Sequence, residues 1–229
     1  GEAPELIAGQ LSDLITGRDP RGGNVQLTLE PAVQKAAYSA MSDKGYVGAV
    51  VAIEPATGNI LAMVSTPSYD PNPLASHSDA TQRQAYNDLV NADPSPLLNR
   101  AVAAVYPPGS TFKLVIAAAA LQNGFTPDTQ VTGEPTITLP GTGGATLSNF
   151  GGETCADGGG ADVSLTQALA HSCNTAFAEV AMQLGAPVVR KQAEALGVDG
   201  EGTDAGLDVV GSRLGDIPDT AALAQTGIG

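Results

Sequence analysis

Tyr106-Pro107-Pro108-Gly109-Ser110-Thr111-Phe112-Lys113 divides into a stiff half and a reactive half. The two prolines fix φ and lack an N–H donor, so residues 106–109 read as a rigid, non-helical approach. The run Ala117-Ala118-Ala119-Ala120 further on favours helix strongly. A helix is therefore predicted from Ser110 to about Gln122, with Gly124 as its stop. Ser110 and Lys113 stand three apart, and residues three apart share a helix face. A hydroxyl and an amine so placed can come within hydrogen-bond reach, as a serine nucleophile and its base require. A serine hydroxyl attacks poorly until its proton is removed. A lysine can remove it once burial or a nearby cation lowers its pKa. The helix start also offers free N–H groups and a dipole to a developing oxyanion. The same pair would equally serve as an N-cap and a solvated helix lysine, and the spacing alone leaves both readings open.

A second short motif is Ser172-Cys173-Asn174. It falls where one predicted helix breaks and another begins, a junction that can point two polar side chains into a cleft. Ser172 could pass a proton to a leaving amine and Asn174 could hold a substrate amide. Both types also cap helices, so this motif too has a plain structural reading.

The remaining chain supplies an α/β pattern. Residues 1–24 are polar and read as a linker. Val25 to Leu29 alternates as a short strand. Pro31 suits the first turn of a helix reaching about Met41 and closed by Gly45. Tyr46 to Ile53 and Ile60 to Thr66, separated by Pro55-Ala56-Thr57-Gly58-Asn59, read as a hairpin of two buried strands. A loop over 67–80 precedes a helix from Thr81 to Val90. Residues 125–162 read as long loops with short strands. Ser164 with Gln167 matches a capping box. Helices follow over about Thr175 to Leu184, ended by Gly185, and over Pro187 to Leu196, ended by Gly197. Two strands followed by many helices imply an α/β domain with a helical subdomain and a sheet short for its length.

Composition narrows the function classes. Apolar residues make up 42% of the 229, so the chain is globular. Aromatic residues are only 4% and Trp is absent, so the core leans on Ala, Val, Leu and Ile. The net charge is −14 and the ten basic residues are scattered. No basic patch exists for phosphates, so nucleic acid is not an expected partner. No apolar run approaches the roughly 20 residues of a membrane span. No His–Cys–Asp cluster has metal-ligand spacing, so no metal and no cofactor is expected. His171, beside the second motif, is read as structural. Cys155 and Cys173 could be a disulfide or two buried thiols.

With these residues in place the chain resembles the penicillin-binding transpeptidases, most closely actinobacterial class B (monofunctional) members. The eight residues Tyr106–Lys113 look like the family's nucleophile signature. Asn99-Arg100-Ala101 precedes them as in the family. Residues 51–63 resemble its first hairpin, Tyr69-Asp70-Pro71-Asn72 the loop after it, and residues 171–177 its S-x-N segment. The matches run in family order from about Val25 to the end. The family's third motif, Lys-Thr-Gly or Lys-Ser-Gly, is absent. Gln225-Thr226-Gly227 lacks the charge that would bind a substrate carboxylate.

The resemblance implies a serine β-lactamase / D,D-transpeptidase-like fold: α/β, an antiparallel sheet flanked by helices plus a helical subdomain, the sheet incomplete in this chain. Residues 1–24 would be a linker or remnant of an N-terminal pedestal domain, and 25–229 a C-terminally truncated transpeptidase domain. The implied activity is peptidoglycan cross-linking through an acyl-enzyme on Ser110. Lys113 is the base, Ser172 assists protonation and Asn174 binds substrate. Implied partners are peptidoglycan stem peptides and β-lactams, a membrane anchor, and division or elongation proteins. The implied location is the extracytoplasmic face of the bacterial plasma membrane. In that compartment Cys155–Cys173 becomes an expected disulfide, worth about 3 kcal/mol in the chain-entropy model. Rivals on the same fold are a serine β-lactamase and a D,D-carboxypeptidase. A β-lactam sensor domain is a binding-module alternative. No Glu here has the Glu-x-x-Leu-Asn context of a class A β-lactamase.

Overall fold

The computed structural model describes residues 25–156, 161–200 and 206–229. The linker read over 1–24 lies outside the described residues. Two compact units share the chain, one up to Ala101 and one from Val102.

In the first unit, helix α1 (Pro31–Ser42) opens with proline in its first turn, where the missing N–H costs nothing. Strands β1 (Gly48–Ile53) and β2 (Ile60–Thr66) form an antiparallel pair with Val50 opposite Val64. Gly58 occupies the left-handed region at φ 76° in the connecting turn. Gln34 on α1 clamps β2 by donating to the Met63 carbonyl at 2.8 Å and accepting from the Met63 N–H at 2.8 Å. It supplies from a side chain what a neighbouring strand would supply from backbone. Helix α2 (Asp79–Val90) starts two residues earlier than Thr81 because Ser78 caps it, its hydroxyl accepting from the Thr81 N–H.

Two expectations are corrected here. Residues 25–29 form no strand. Glu30 N donates to Leu61 O and the Thr28 hydroxyl to Ile60 O, but no ladder follows and Val25 and Leu27 are exposed. An alternating pattern needs a sheet partner to become a strand. The hairpin is also buried on one strand only. Ala62, Val64 and Thr66 of β2 are buried, whereas Val51 and Ile53 of β1 are exposed.

The chain enters the second unit through the short helix α3 (Arg100–Ala103). Helix α4 (Lys113–Gln122) is its centre, with Val115, Ile116, Ala117, Ala119 and Ala120 buried. A broad apolar face is what a helix packed against several others requires, and Leu114 and Leu121 on the remaining side stay exposed. Helices α5 (Leu165–Ala170), α6 (Asn174–Leu184) and α7 (Ala186–Ala195) pack against it. Their contact faces are rich in alanine, which lets backbones approach closely without aromatic filling. The helix predicted from Ser110 begins instead at Lys113, after a 3₁₀ turn over Gly109–Phe112. Gly109 enters at φ 55°, and the Thr111 hydroxyl donates back to the Pro108 carbonyl at 2.7 Å. Such tight turns are common at helix starts.

Strands β3 (Gln130–Thr132) and β6 (Asp162–Ser164) pair antiparallel, as do β4 (Thr136–Thr138) and β5 (Thr146–Ser148). Leu147 of β5 and Leu139, just past β4, bury against Ala178 of α6 and Ala224 of helix α8 (Thr220–Thr226). The capping box is present, with Ser164 and Gln167 bonded reciprocally at the start of α5. These helices and small antiparallel sheets make an α/β fold.

Candidate active site

The second unit gathers Ser110, Lys113, Ser172 and Asn174 around one amine. Lys113 Nζ lies 3.2 Å from Ser110 Oγ, 3.0 Å from Ser172 Oγ, 2.6 Å from the Ser172 carbonyl and 2.7 Å from Asn174 Oδ1. Lys113 is 0% exposed, while Ser110 and Ser172 are exposed. The amine is thus sealed beneath two serines that are themselves exposed. The ring of Phe177 closes one side, its centroid 6.0 Å from Nζ.

Local structure explains each placement. Ser110 rides the 3₁₀ turn and Lys113 the first residue of α4, so the i, i+3 relation holds across the junction. Ser172 sits between α5 and α6 at φ 55°. The left-handed region is strained for a residue with a Cβ. Here it turns both the carbonyl and the hydroxyl of Ser172 onto Lys113. Asn174 is the first residue of α6, and its side-chain N–H donates to the Ser148 carbonyl at 3.0 Å. With the amide nitrogen so engaged, the amide oxygen faces Lys113.

Two opposing effects act on the Lys113 proton. The acceptors around Nζ favour the ammonium, and removal from water disfavours it. Removal from water prevails and lowers the pKa to about 8. A lysine so placed holds a useful neutral fraction near neutrality and can accept a proton from Ser110. Cys155 and Cys173 form a disulfide with Cα atoms 6.1 Å apart, which ties the middle residue of the Ser172–Asn174 turn to the loop after β5. Among the described residues, no group of three or more His, Cys, Asp or Glu could hold a metal ion.

A sequence model described as the penicillin-binding protein transpeptidase domain matches residues 48–229. The chain belongs to the penicillin-binding protein transpeptidase family. It is 49% identical to the peptidoglycan D,D-transpeptidase PbpA of Mycobacterium tuberculosis H37Rv, over 100% of this chain and 47% of that protein. It is 34% identical to the peptidoglycan D,D-transpeptidase MrdA of Escherichia coli K12, over 86% of this chain and 29% of that protein. The structure of penicillin-binding protein A from M. tuberculosis as an imipenem acyl-enzyme complex superposes with a TM-score of 0.91 at 49% identity. It covers 99% of this chain and 52% of that one. The chain thus spans about half the length of PbpA and less than a third of MrdA.

The structure also brings two residues that the sequence reading passed over into contact with the Ser172–Asn174 segment. Ser148 and Asn149 stand in the Gly- and Thr-rich stretch read as loops, yet the Ser148 carbonyl grips Asn174 and the Asn149 side chain grips Thr175. The one signal that could have found them is Cys173. A cysteine at a helix N-cap offers no good acceptor to the first-turn N–H groups, so an acceptor from elsewhere is required.

Proposed function

We propose that this chain carries the acylating centre of a peptidoglycan D,D-transpeptidase, with Ser110 as nucleophile and Lys113 as its base. One observation carries the reading. A fully buried lysine with its pKa lowered to about 8 has its amine 3.2 Å from the hydroxyl of an exposed serine, and the Ser172–Asn174 turn holds it there. Unprotonated Lys113 takes the proton from Ser110 Oγ, which attacks the carbonyl carbon of the penultimate D-Ala of a stem peptide. The C–N bond to the terminal D-Ala breaks as its nitrogen receives a proton from Lys113 through Ser172 Oγ, 3.0 Å from Nζ. An amine of a neighbouring stem peptide then attacks the ester, forming the cross-link and freeing Ser110. A β-lactam follows the first step alone. Its C–N bond opens, but the amine stays tethered and the acyl group persists on Ser110. Asn174 has two roles, orienting Lys113 and receiving the substrate amide.

The same reading assigns residues 25–229 to the transpeptidase domain and residues 1–24 to a linker or pedestal remnant. It places the work on the extracytoplasmic face of the plasma membrane, where the disulfide is at home in an oxidising compartment. A membrane anchor and contacts with division or elongation proteins rest on the family resemblance alone. Among the described residues, no helix is long and apolar enough to cross a membrane.

Labelled penicillin tests the assignment on the full-length protein. Wild type is expected to retain covalent label through denaturation, and Ser110→Ala to retain none. Equal labelling of both would remove Ser110 as nucleophile. Rapid turnover of a chromogenic cephalosporin would mark a hydrolase instead.

A further inference from the structure

We infer that Asn149 is a positioning residue for acylation, serving as the missing cap of α6 and thereby fixing Asn174 against Lys113. This rests on the reading of Ser110 and Lys113 given above. The N-cap of α6 is Cys173, whose side chain makes no capping hydrogen bond and is held in the disulfide. Helix starts leave N–H groups without intrahelical partners, and a buried one must find an acceptor elsewhere. Asn149 provides it from 26 residues away, its Oδ1 accepting from the Thr175 N–H at 3.0 Å. The Thr175 hydroxyl lies 3.2 Å from the same Oδ1 and donates to the Glu134 carbonyl at 2.8 Å. The Asn149 amide nitrogen donates to the carbonyls of Glu134 at 3.1 Å and Glu153 at 3.0 Å. Asn149 is 8% exposed and Thr175 0%, so the bonds between these two residues are buried away from competing water.

The consequence reaches the reacting groups through adjacent residues. Ser148 ends β5 and Asn149 follows it, and the two grip Asn174 and Thr175 respectively. The Ser148 carbonyl takes the Asn174 side-chain N–H only while Asn149 holds the backbone of the next residue in register. If that hold is lost, the Asn174 amide can rotate and its Oδ1 leaves Lys113 Nζ, now 2.7 Å away. Asn149 touches no reacting atom and acts wholly through Asn174.

The test measures Ser110 acylation by a fluorescent penicillin, with thermal melts alongside, in the full-length protein. Asn149→Ala is expected to slow acylation about tenfold, the scale of one lost buried hydrogen bond. Added to Asn174→Ala it should cost less than about twofold more, because the two act in series. Asn149→Asp keeps the acceptor for the Thr175 N–H and loses both donors. It serves if the alanine variant does not fold, and should acylate within about threefold of wild type although its Tm falls. Fully additive losses in the double variant, or an aspartate variant as slow as alanine is expected to be, would overturn the inference. Wild-type protein that fails to label on Ser110 would instead sink the functional reading itself.

Discussion

An ammonium withdrawn from water must be surrounded by acceptors or surrender its proton. Lys113 does some of each, having four oxygen contacts and a pKa lowered to about 8. At pH 7 about one tenth of such a lysine is neutral. Acylation by penicillin is therefore expected to rise with pH toward about 8 and level above it, as pre-steady-state labelling across pH 6–9.5 would show. A flat profile would separate Lys113 from the proton transfer. Lys113→Arg keeps a permanent charge and a planar head, and is expected to slow acylation by about 10²–10⁴-fold. The same shift bears on stability. The folded pKa lies below the unfolded 10.5, so the unfolded chain binds more protons between about pH 8 and 10.5. The cost of the buried charge is complete below about 8 and is relieved as pH climbs through that window. Chemical denaturation should show wild type gaining on Lys113→Met across it.

Between elements, the second unit depends on small residues at close contacts. Gly227 ends α8 against α6, where an added Cβ would stand 2.7 Å from the Phe177 carbonyl and 2.7 Å from the Ala181 methyl. The obstructing atoms are helix backbone and a rigid methyl, neither of which can swing aside. Gly227→Ala is expected to destabilise by about 1–3 kcal/mol through forced separation of the helices, read as a lower Tm. Its φ of −59° is open to any residue, so the effect comes from contact alone. Were the Tm unchanged, the α6–α8 contact would be looser than described. Phe177 lies on the same α6 face and also flanks Lys113, so acylation should slow in this variant as well.

At the scale of the whole molecule, the Cys155–Cys173 bridge closes a loop of 18 residues and restricts the unfolded chain more than the folded one. Cys155→Ala is expected to cost about 3 kcal/mol, a Tm decrease of about 6–12 °C for a chain of this size. The Lys113 contacts to Ser172 and Asn174 remain, so folded protein should still acylate. An unchanged Tm in differential scanning calorimetry would show that the unfolded ensemble is already restricted there. Cys173 is 1% exposed and Cys155 9%, so reductants should act slowly on the native state.

The sequence alone determined what local stereochemistry governs. The i, i+3 pair Ser110–Lys113, the capping box at Ser164 and Gln167, the turn at Gly58 and the breaks at Gly124, Gly185 and Gly197 each follow from a few neighbouring residues. Eight residues of motif also pointed to the family. Tertiary structure decided what depends on partners far along the chain. Ser172 and Asn174 reach Lys113 across 59 and 61 positions, and Asn149 reaches Thr175 across 26. No periodicity records such distances. Full burial of Lys113 depends on the packing of α5, α6 and α7 against α4, since the same lysine on an exposed helix would stay hydrated and charged. The strand expected at 25–29 failed for the converse reason: alternation is local, but a ladder needs a second chain segment in register.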